Sequence, residues 1–330
     1  MLTPPDDLPD DLLPQVLDRD WGLAVAAVDY RPVGWGSHHW EVRDTGGTRW
    51  FATLDELAHK RLTADEPLDV GFGRLRAALA ATRALHDGGA GFAVAPVPTW
   101  SGSPLARAGE QYAVTLHAFV EGRSFGWGEW ESPDHRRAVL DLVARVHAAP
   151  EPVRALAPVD GFAVPHRDQL AAALAAGAVP DAGPYARRCS ELVRGHAAPI
   201  RGLLDRYDAL VAAARARPGR LALTHGEPHP GNTMRTGAGW VLIDWETARC
   251  APPERDLWGL DPGDGSLLAA YEQATGVAPD PAMLALYRIR WDLSDLAVDV
   301  ARFRRPHSGN ADDTQSWQIL TRLVTHLANP

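Results

Sequence analysis

The residues best suited to chemistry lie in one stretch, Thr224-His225-Gly226-Glu227-Pro228-His229-Pro230-Gly231-Asn232, and in the Ile243-Asp244-Trp245 that follows it. Together they supply a carboxylate, an amide oxygen and a second carboxylate. A hydroxyl acceptor needs a carboxylate to orient it and take its proton, and a nucleotide's phosphates need hard oxygen ligands that hold Mg²⁺ without neutralising it. Glu227 meets the first need; Asn232 and Asp244 meet the second. The connector from Thr233 to Ile243 has a Gly-rich centre, Gly237-Ala238-Gly239, followed by an apolar run. This spacing predicts two short strands around a tight turn, which returns residue 244 to the neighbourhood of residue 232. The set suits Mg²⁺-dependent phosphoryl transfer.

With these residues in place, the chain resembles the aminoglycoside phosphotransferase family, relatives of the eukaryotic protein kinases. That family's His-Gly-Asp-x-x-x-x-Asn loop and the Asp after the next hairpin correspond to His225 through Asn232 and to Asp244. Pro252-Pro253-Glu254-Arg255-Asp256-Leu257-Trp258 and the upstream Ala118-Phe119-Val120-Glu121-Gly122 follow the family order as well. The resemblance implies an α+β, two-lobed, protein-kinase-like fold, with a small β-rich nucleotide-binding lobe at 1–119 and a larger, mainly helical lobe at 120–330, joined by a hinge at about 118–122. It implies Mg²⁺ with ATP or GTP as donor, His225 and Glu227 in the catalytic loop, and Asp256 bracing that loop. Purine contacts would come from the backbone at Ala118, Phe119 and Val120. Length and C-terminal pattern are most similar to the spectinomycin phosphotransferase branch.

Two departures stand out. The family's base is Asp, whereas Glu227 carries its carboxylate ~1 Å further from the backbone, a displacement that costs on the order of 10²-fold unless the loop adjusts. The second is in the strand Arg49-Trp50-Phe51-Ala52-Thr53-Leu54-Asp55, where Thr53 stands in place of the phosphate-binding Lys. Lys60 is the chain's one lysine and reads as a surface residue in a polar stretch. The helix expected at Arg74 to Leu85 has no Glu to pair with a lysine, which points either to arginines such as Arg74 or Arg76 as a rebuilt phosphate grip or to lost catalysis.

The elements that must position these groups follow from periodicity and turn chemistry. A helix is expected at Leu12 to Asp20 and strands at Gly22 to Tyr30, from Trp40, and at Trp50 to Leu54, with a hairpin turn at Asp44-Thr45-Gly46-Gly47. Gly34, Gly36 and Ser37 sit where a phosphate-covering loop would lie, its backbone N–H groups and one hydroxyl facing phosphate. Gln111 to Phe119 reads as a buried strand. Helices follow at Arg136 to Ala148, 167–177, within 186–217, and at 264–275, 281–304 and 311–328. His147 reads as a core or capping residue.

In the 281–304 helix, Asp292, Asp295 and Asp299 share one face, beside Trp291. A solvated face answered by Arg288, Arg302 or Arg304 is the weightier reading; a seat for an ammonium group is the alternative, to which the family's binding of cationic antibiotics adds some weight. Glu129 and Glu131 are further acidic candidates, and Trp127, Trp130 and Trp291 are candidate cleft liners. His229 supports the loop. A histidine-based zinc site lacks ligands at suitable spacing.

At 330 residues and a net charge of −9, the chain can bury a two-lobed core and is unsuited to nucleic acid. Cys189 and Cys250 are too few for a disulfide framework. Neither a signal segment nor a membrane span is expected, so the expectation is a cytoplasmic monomer or homodimer acting on a small cationic molecule. Three functions remain open: a small-molecule kinase, a kinase-like nucleotide binder with weakened turnover, and nucleotidyl transfer.

Overall fold

The computed structural model describes every residue except 6, 176–178, 180, 218, 329 and 330. The chain begins with α1 (Leu12–Trp21), ended by Gly22 in the left-handed region, and continues through β1 (Val25–Arg31), β2 (His38–Asp44) and β3 (Arg49–Glu56). Next come α2 (Leu68–Asp87), β4 (Ala106–Ala108), β5 (Tyr112–Ala118) and β6 (Arg123–Ser124). The strands β1, β2, β3, β5 and β4 form, in that spatial order, an antiparallel sheet. One face carries Trp40, Val42, Ala52, Leu54, Val114 and Leu116, packed against Leu13, Val16 and Leu17 of α1. Each such Leu or Val contributes roughly 1.5–3 kcal/mol by burial.

The larger, helical part contains α3 (Pro133–His147), α4 (Glu151–Arg154), α5 (Arg167–Leu174), α6 (Ala186–Gly195) and α7 (Ala197–Ala216), then β7 (Ala222–Thr224), β8 (Thr233–Thr236), β9 (Gly239–Leu242) and β10 (Arg249–Ala251). It closes with α8 (Glu254–Leu257), α9 (Ser266–Thr275), α10 (Pro281–Phe303) and α11 (Ala311–Ala328). α3 starts where Ser132 accepts a hydrogen bond from the His135 N–H and Pro133 takes the first turn, a position that needs no N–H donor. It buries Val139, Leu142, Val143 and Val146 against β7, β9 and Trp245. α10, capped by Asp280, buries Leu286, Leu293, Leu296 and Val300 among α5, α6, α7 and α11.

Local expectations and structure differ in a few places. α2 begins at Leu68, upstream of the expected Arg74, because Gly71 and Gly73 obscure its first turns while Gly71 packs against the Lys60 carbonyl. Gly22 caps α1 instead of opening a strand. α5 ends at Leu174, and residues 176 and 177 of the expected helix lie outside the described residues. Among the described residues no helix is long and apolar enough to cross a membrane.

Asp299, 4 % exposed on α10, has its carboxyl pushed up to about 7, first by burial, with Ser316 of α11 and Arg302 only partly offsetting it. Its charge also bears on Asp295 of the same helix and on Cys189 of α6. The folded carboxyl therefore keeps its proton up to about pH 7, while the unfolded one loses it near pH 4. The stability it contributes is complete below about pH 4 and is lost as pH rises through 7. Asp299→Asn is expected to leave stability near pH 4 almost unchanged and to raise it at pH 8 by roughly 1–3 kcal/mol. Equal slopes of melting temperature against pH for variant and parent would count against this.

Candidate active site

The loop after β7 is built around Gly226, whose φ is 101° and whose missing Cβ would lie 2.2 Å from the Arg255 guanidinium. Only glycine fits a backbone turned this way against another side chain. Arg255 donates to Thr224 Oγ1 (2.9 Å) and to the Thr247 carbonyl (2.8 Å). Beneath the loop, Asp256 accepts from the His225 N–H (2.9 Å), the Gly226 N–H (2.5 Å) and His147 Nε2 (3.1 Å). His225 is wholly buried: its Nε2 donates to the Ile243 carbonyl (2.9 Å) and its Nδ1 accepts from the Glu227 N–H (3.2 Å). Burial holds its pKa down to about 4, so the ring is neutral. The catalytic place expected for His225 is thus, in the structure, a brace between the loop and the Ile243-Asp244 turn with no surface open to a substrate.

The expected β8–β9 hairpin forms, with Thr233 opposite Leu242. It brings the Ile243 N–H to the Asn232 carbonyl (3.0 Å), and the Asn232 amide nitrogen donates to the Glu227 carbonyl (3.0 Å), which leaves its side-chain oxygen as an acceptor. Asp244 follows with φ 64°, an uncommon conformation for a residue with a side chain. Trp245, 2 % exposed, pins that turn by donating to the Leu242 carbonyl (2.9 Å) and packing on the His225 ring.

The carboxylates of this floor repel one another. Glu227 is pushed up to about 7, by burial first and then by Glu246, with Asp295 adding to the effect. Asp244 is raised by the protein crowded around it and by Glu227, although water reaches its carboxylate. Glu246 is raised chiefly by burial. Such a cluster favours a bound cation. Among the described residues, no three His, Cys, Asp or Glu side chains form a group able to hold a metal ion by themselves. Asn232 and Asp244 offer the hard oxygen ligands that Mg²⁺ takes, typically one or two from protein with water and phosphate oxygens completing the shell.

Opposite the floor, Gly34 and Gly36 have φ of 71° and 88° in the β1–β2 loop. Ser37 is buried, donating to Asp55 (2.6 Å) and lying 3.3 Å from Glu246. Thr53 is bonded to His39 Nδ1 (3.2 Å). Lys60 is not a surface residue: its ammonium meets Asp55 at 2.8 Å and Glu246 at 2.5 Å. Arg74 is engaged with Glu66 and the Lys60 carbonyl, and Arg76 is exposed. Where β5 leaves the sheet, Ala118 is exposed, Val120 half-buried, and the Phe119 N–H donates to the Arg49 carbonyl (3.3 Å). The Arg49 guanidinium lies over the Phe119 ring and pairs with Glu41 and Glu121.

The expected acidic seat divides. Asp295 lies close enough for Glu227 to feel its charge, and its own carboxyl is pushed up to about 7, first by burial. Asp292 instead faces a surface concavity with Arg206 and His326 and does not join the loop. Trp291 packs against Trp258. Glu129 is exposed and accepts from the Gly126 N–H (3.0 Å). His229 Nε2 is 4.0 Å from Glu227, its buried Nδ1 has no hydrogen-bond partner among the described residues, and Trp127, 68 % exposed, stands edge-on to its ring.

Residues 29–296 match the phosphotransferase enzyme family. The chain belongs to this family. It is 35 % identical over 255 residues to Protein StrN of Streptomyces griseus, covering 73 % of this chain and 74 % of StrN. Its fold is similar to spectinomycin phosphotransferase solved with ADP and spectinomycin (TM-score 0.69, 15 % identity, 98 % and 99 % of the two chains). It is also similar to an amicoumacin kinase (TM-score 0.60, 12 % identity, 98 % and 95 %).

Two residues of this phosphotransferase's site were missed by sequence reasoning. Glu246 follows Asp244 at a spacing that would return a second carboxylate to the same turn, a signal that was present. Asp55 follows Thr53 on the same face of β3, as the two-residue period of a strand requires; nothing in the local sequence says that Lys60 turns back to it.

Proposed function

We propose that this phosphotransferase moves the γ-phosphate of ATP or GTP to a hydroxyl of a small cationic molecule of the aminocyclitol or aminoglycoside class, with lobes divided at about residues 118–122. The observation that carries the reading is the closure of one hydrogen-bonded loop system, Glu227 to Asn232 to Ile243, which gathers Glu227, Asn232 and Asp244 into interacting range. Glu227 orients the acceptor hydroxyl and takes its proton. Asn232 and Asp244 would hold Mg²⁺, which supplies charge neutralisation at the phosphates when bound. Asp295, whose field reaches Glu227, favours an acceptor with an ammonium group nearby.

Asp244→Ala is expected to weaken Mg²⁺-dependent nucleotide binding by tenfold or more while metal-independent binding changes little, read by calorimetry with and without EDTA. Unchanged Mg²⁺ dependence would remove Asp244 from the metal role. Product mass distinguishes phosphate addition from nucleotidyl transfer. Consumption of nucleotide against a panel of aminocyclitols and aminated sugars tests the acceptor class; binding without turnover across the panel would favour a weakened, nucleotide-binding relative.

A further inference from the structure

With Thr53 at the strand position and tied to His39, this chain needs its phosphate-binding cation elsewhere. We infer that Lys60 is that cation, held ready by Asp55 and Glu246, and that a bound triphosphate draws its ammonium from Glu246 onto phosphate oxygens.

Three observations carry the inference. The Lys60 ammonium touches groups from three separate segments: Asp55 at the end of β3 (2.8 Å), Ser37 after the Gly34–Gly36 loop (3.3 Å) and Glu246 beyond Asp244 (2.5 Å). Its charge is felt by Glu227, Asp244 and Glu246 alike, so it lies within electrostatic range of all three carboxylates. Its backbone is also fixed. The Lys60 carbonyl accepts from Arg74 (2.7 Å), the Leu62 carbonyl accepts from the His166 N–H (2.7 Å), and the Ala64 N–H donates to Asp168 (3.2 Å), which ties this turn to α5. A lysine with a four-carbon stem on a fixed backbone can exchange one oxygen partner for another without moving the chain.

The arrangement has a direct consequence for the ligand-free protein. Lys60 and Asp55 belong to the sheet lobe and Glu246 to the helical region, so the ion pair ties the two together. Asp55 is the permanent partner: it is 2 % exposed, also accepts from Ser37, and stays ionised because Lys60 outweighs the cost of burial. Glu246 is the exchangeable one: it meets Lys60 from the helical part of the chain and its side chain is 21 % exposed. A triphosphate replaces one carboxylate oxygen by phosphate oxygens as acceptors of the same ammonium protons. No covalent bond changes.

The inference rests on the nucleotide-binding reading, and its test is chosen to separate the two. Affinities of the parent, Lys60→Met and Lys60→Arg are measured by calorimetry for a non-hydrolysable Mg²⁺-triphosphate and for its nucleoside, with adenine and with guanine. Lys60→Met is expected to lose roughly 10- to 100-fold in triphosphate affinity and less than about threefold in nucleoside affinity. Lys60→Arg keeps the charge and is expected to recover part of the loss. Equal loss for nucleoside and triphosphate would make Lys60 a structural tie only, and equal triphosphate affinity in parent and Lys60→Met would remove it from the site; either result overturns the inference while leaving the kinase reading intact. A parent protein that binds neither triphosphate overturns both. Circular dichroism of Lys60→Met checks that the fold survives, and Lys60→Arg decides the matter if it does not.

Discussion

Glu227→Gln is expected to lower turnover by about 10²–10⁴-fold while Mg²⁺-nucleotide affinity stays within a few-fold of the parent. The substitution keeps size and hydrogen-bonding reach but removes the group that can accept a proton. Glu227 is suited to that task by its surroundings. Its side chain is one-third exposed, has among the described residues no ion-pair partner nearer than His229 at 4.0 Å, and is pushed up to about 7 by burial and by the charges of Glu246 and Asp295. Folding thus leaves it basic and within electrostatic range of Asp244. The loop's path is set by Gly226, with φ 101°, and by the Arg255 and Asp256 contacts, none of which involves the Glu227 side chain. Single-turnover measurement of phosphate transfer separates this effect from binding. Retained turnover in Glu227→Gln would mean that positioning and phosphate charge alone carry the reaction and that the carboxylate is dispensable. A matching loss of nucleotide affinity would place Glu227 in the nucleotide's seat instead.

Asp256→Ala is expected to cost about 3–5 kcal/mol of stability and to remove turnover with it. Asp256 is 1 % exposed and remains ionised because His147 and nearby Arg255 outweigh the cost of burial. Truncation strands two loop N–H groups and the His147 ring in a dry interior, and each unmet donor there carries its full desolvation penalty. The same two N–H groups fix His225, which in turn fixes Ile243 and the Glu227 N–H. Loss of the brace is therefore expected to displace Glu227 and Asp244 relative to each other. Asp256→Asn keeps one acceptor and should recover part of the stability. Urea denaturation together with turnover under conditions where the variant is folded checks the prediction. A stable Asp256→Ala with full turnover would show that the loop holds its shape without the brace.

What the sequence determined by itself was everything that short-range rules govern. The β8–β9 hairpin follows from a Gly-rich turn between strand-forming residues, and once it closes, Asn232 and Asp244 have no choice but to approach. α3 and α10 follow from caps, a proline in the first turn and an apolar stripe. Glu227, Asn232 and Asp244 were legible as candidates from their order and spacing, whereas the α+β architecture and the bracing place of Asp256 followed from the family resemblance that those residues carry.

Tertiary structure decided where the charges meet. Lys60 and Glu246 are separated by 186 positions, and no local pattern indicates that a polar turn after a strand will fold under the glycine loop and meet a carboxylate from the other lobe. Periodicity placed Asp292, Asp295 and Asp299 on one face of α10, yet their neighbours, not the face, assigned them: Asp295 lies near the catalytic loop, Asp292 beside Arg206 and His326, and Asp299 in the core near α11. His225 likewise became a brace when Ile243 and Asp256 enclosed it. Spacing along a chain sets which residues can share a surface; the energy of a charge depends on distance and dielectric through space, and those exist only after the lobes have packed.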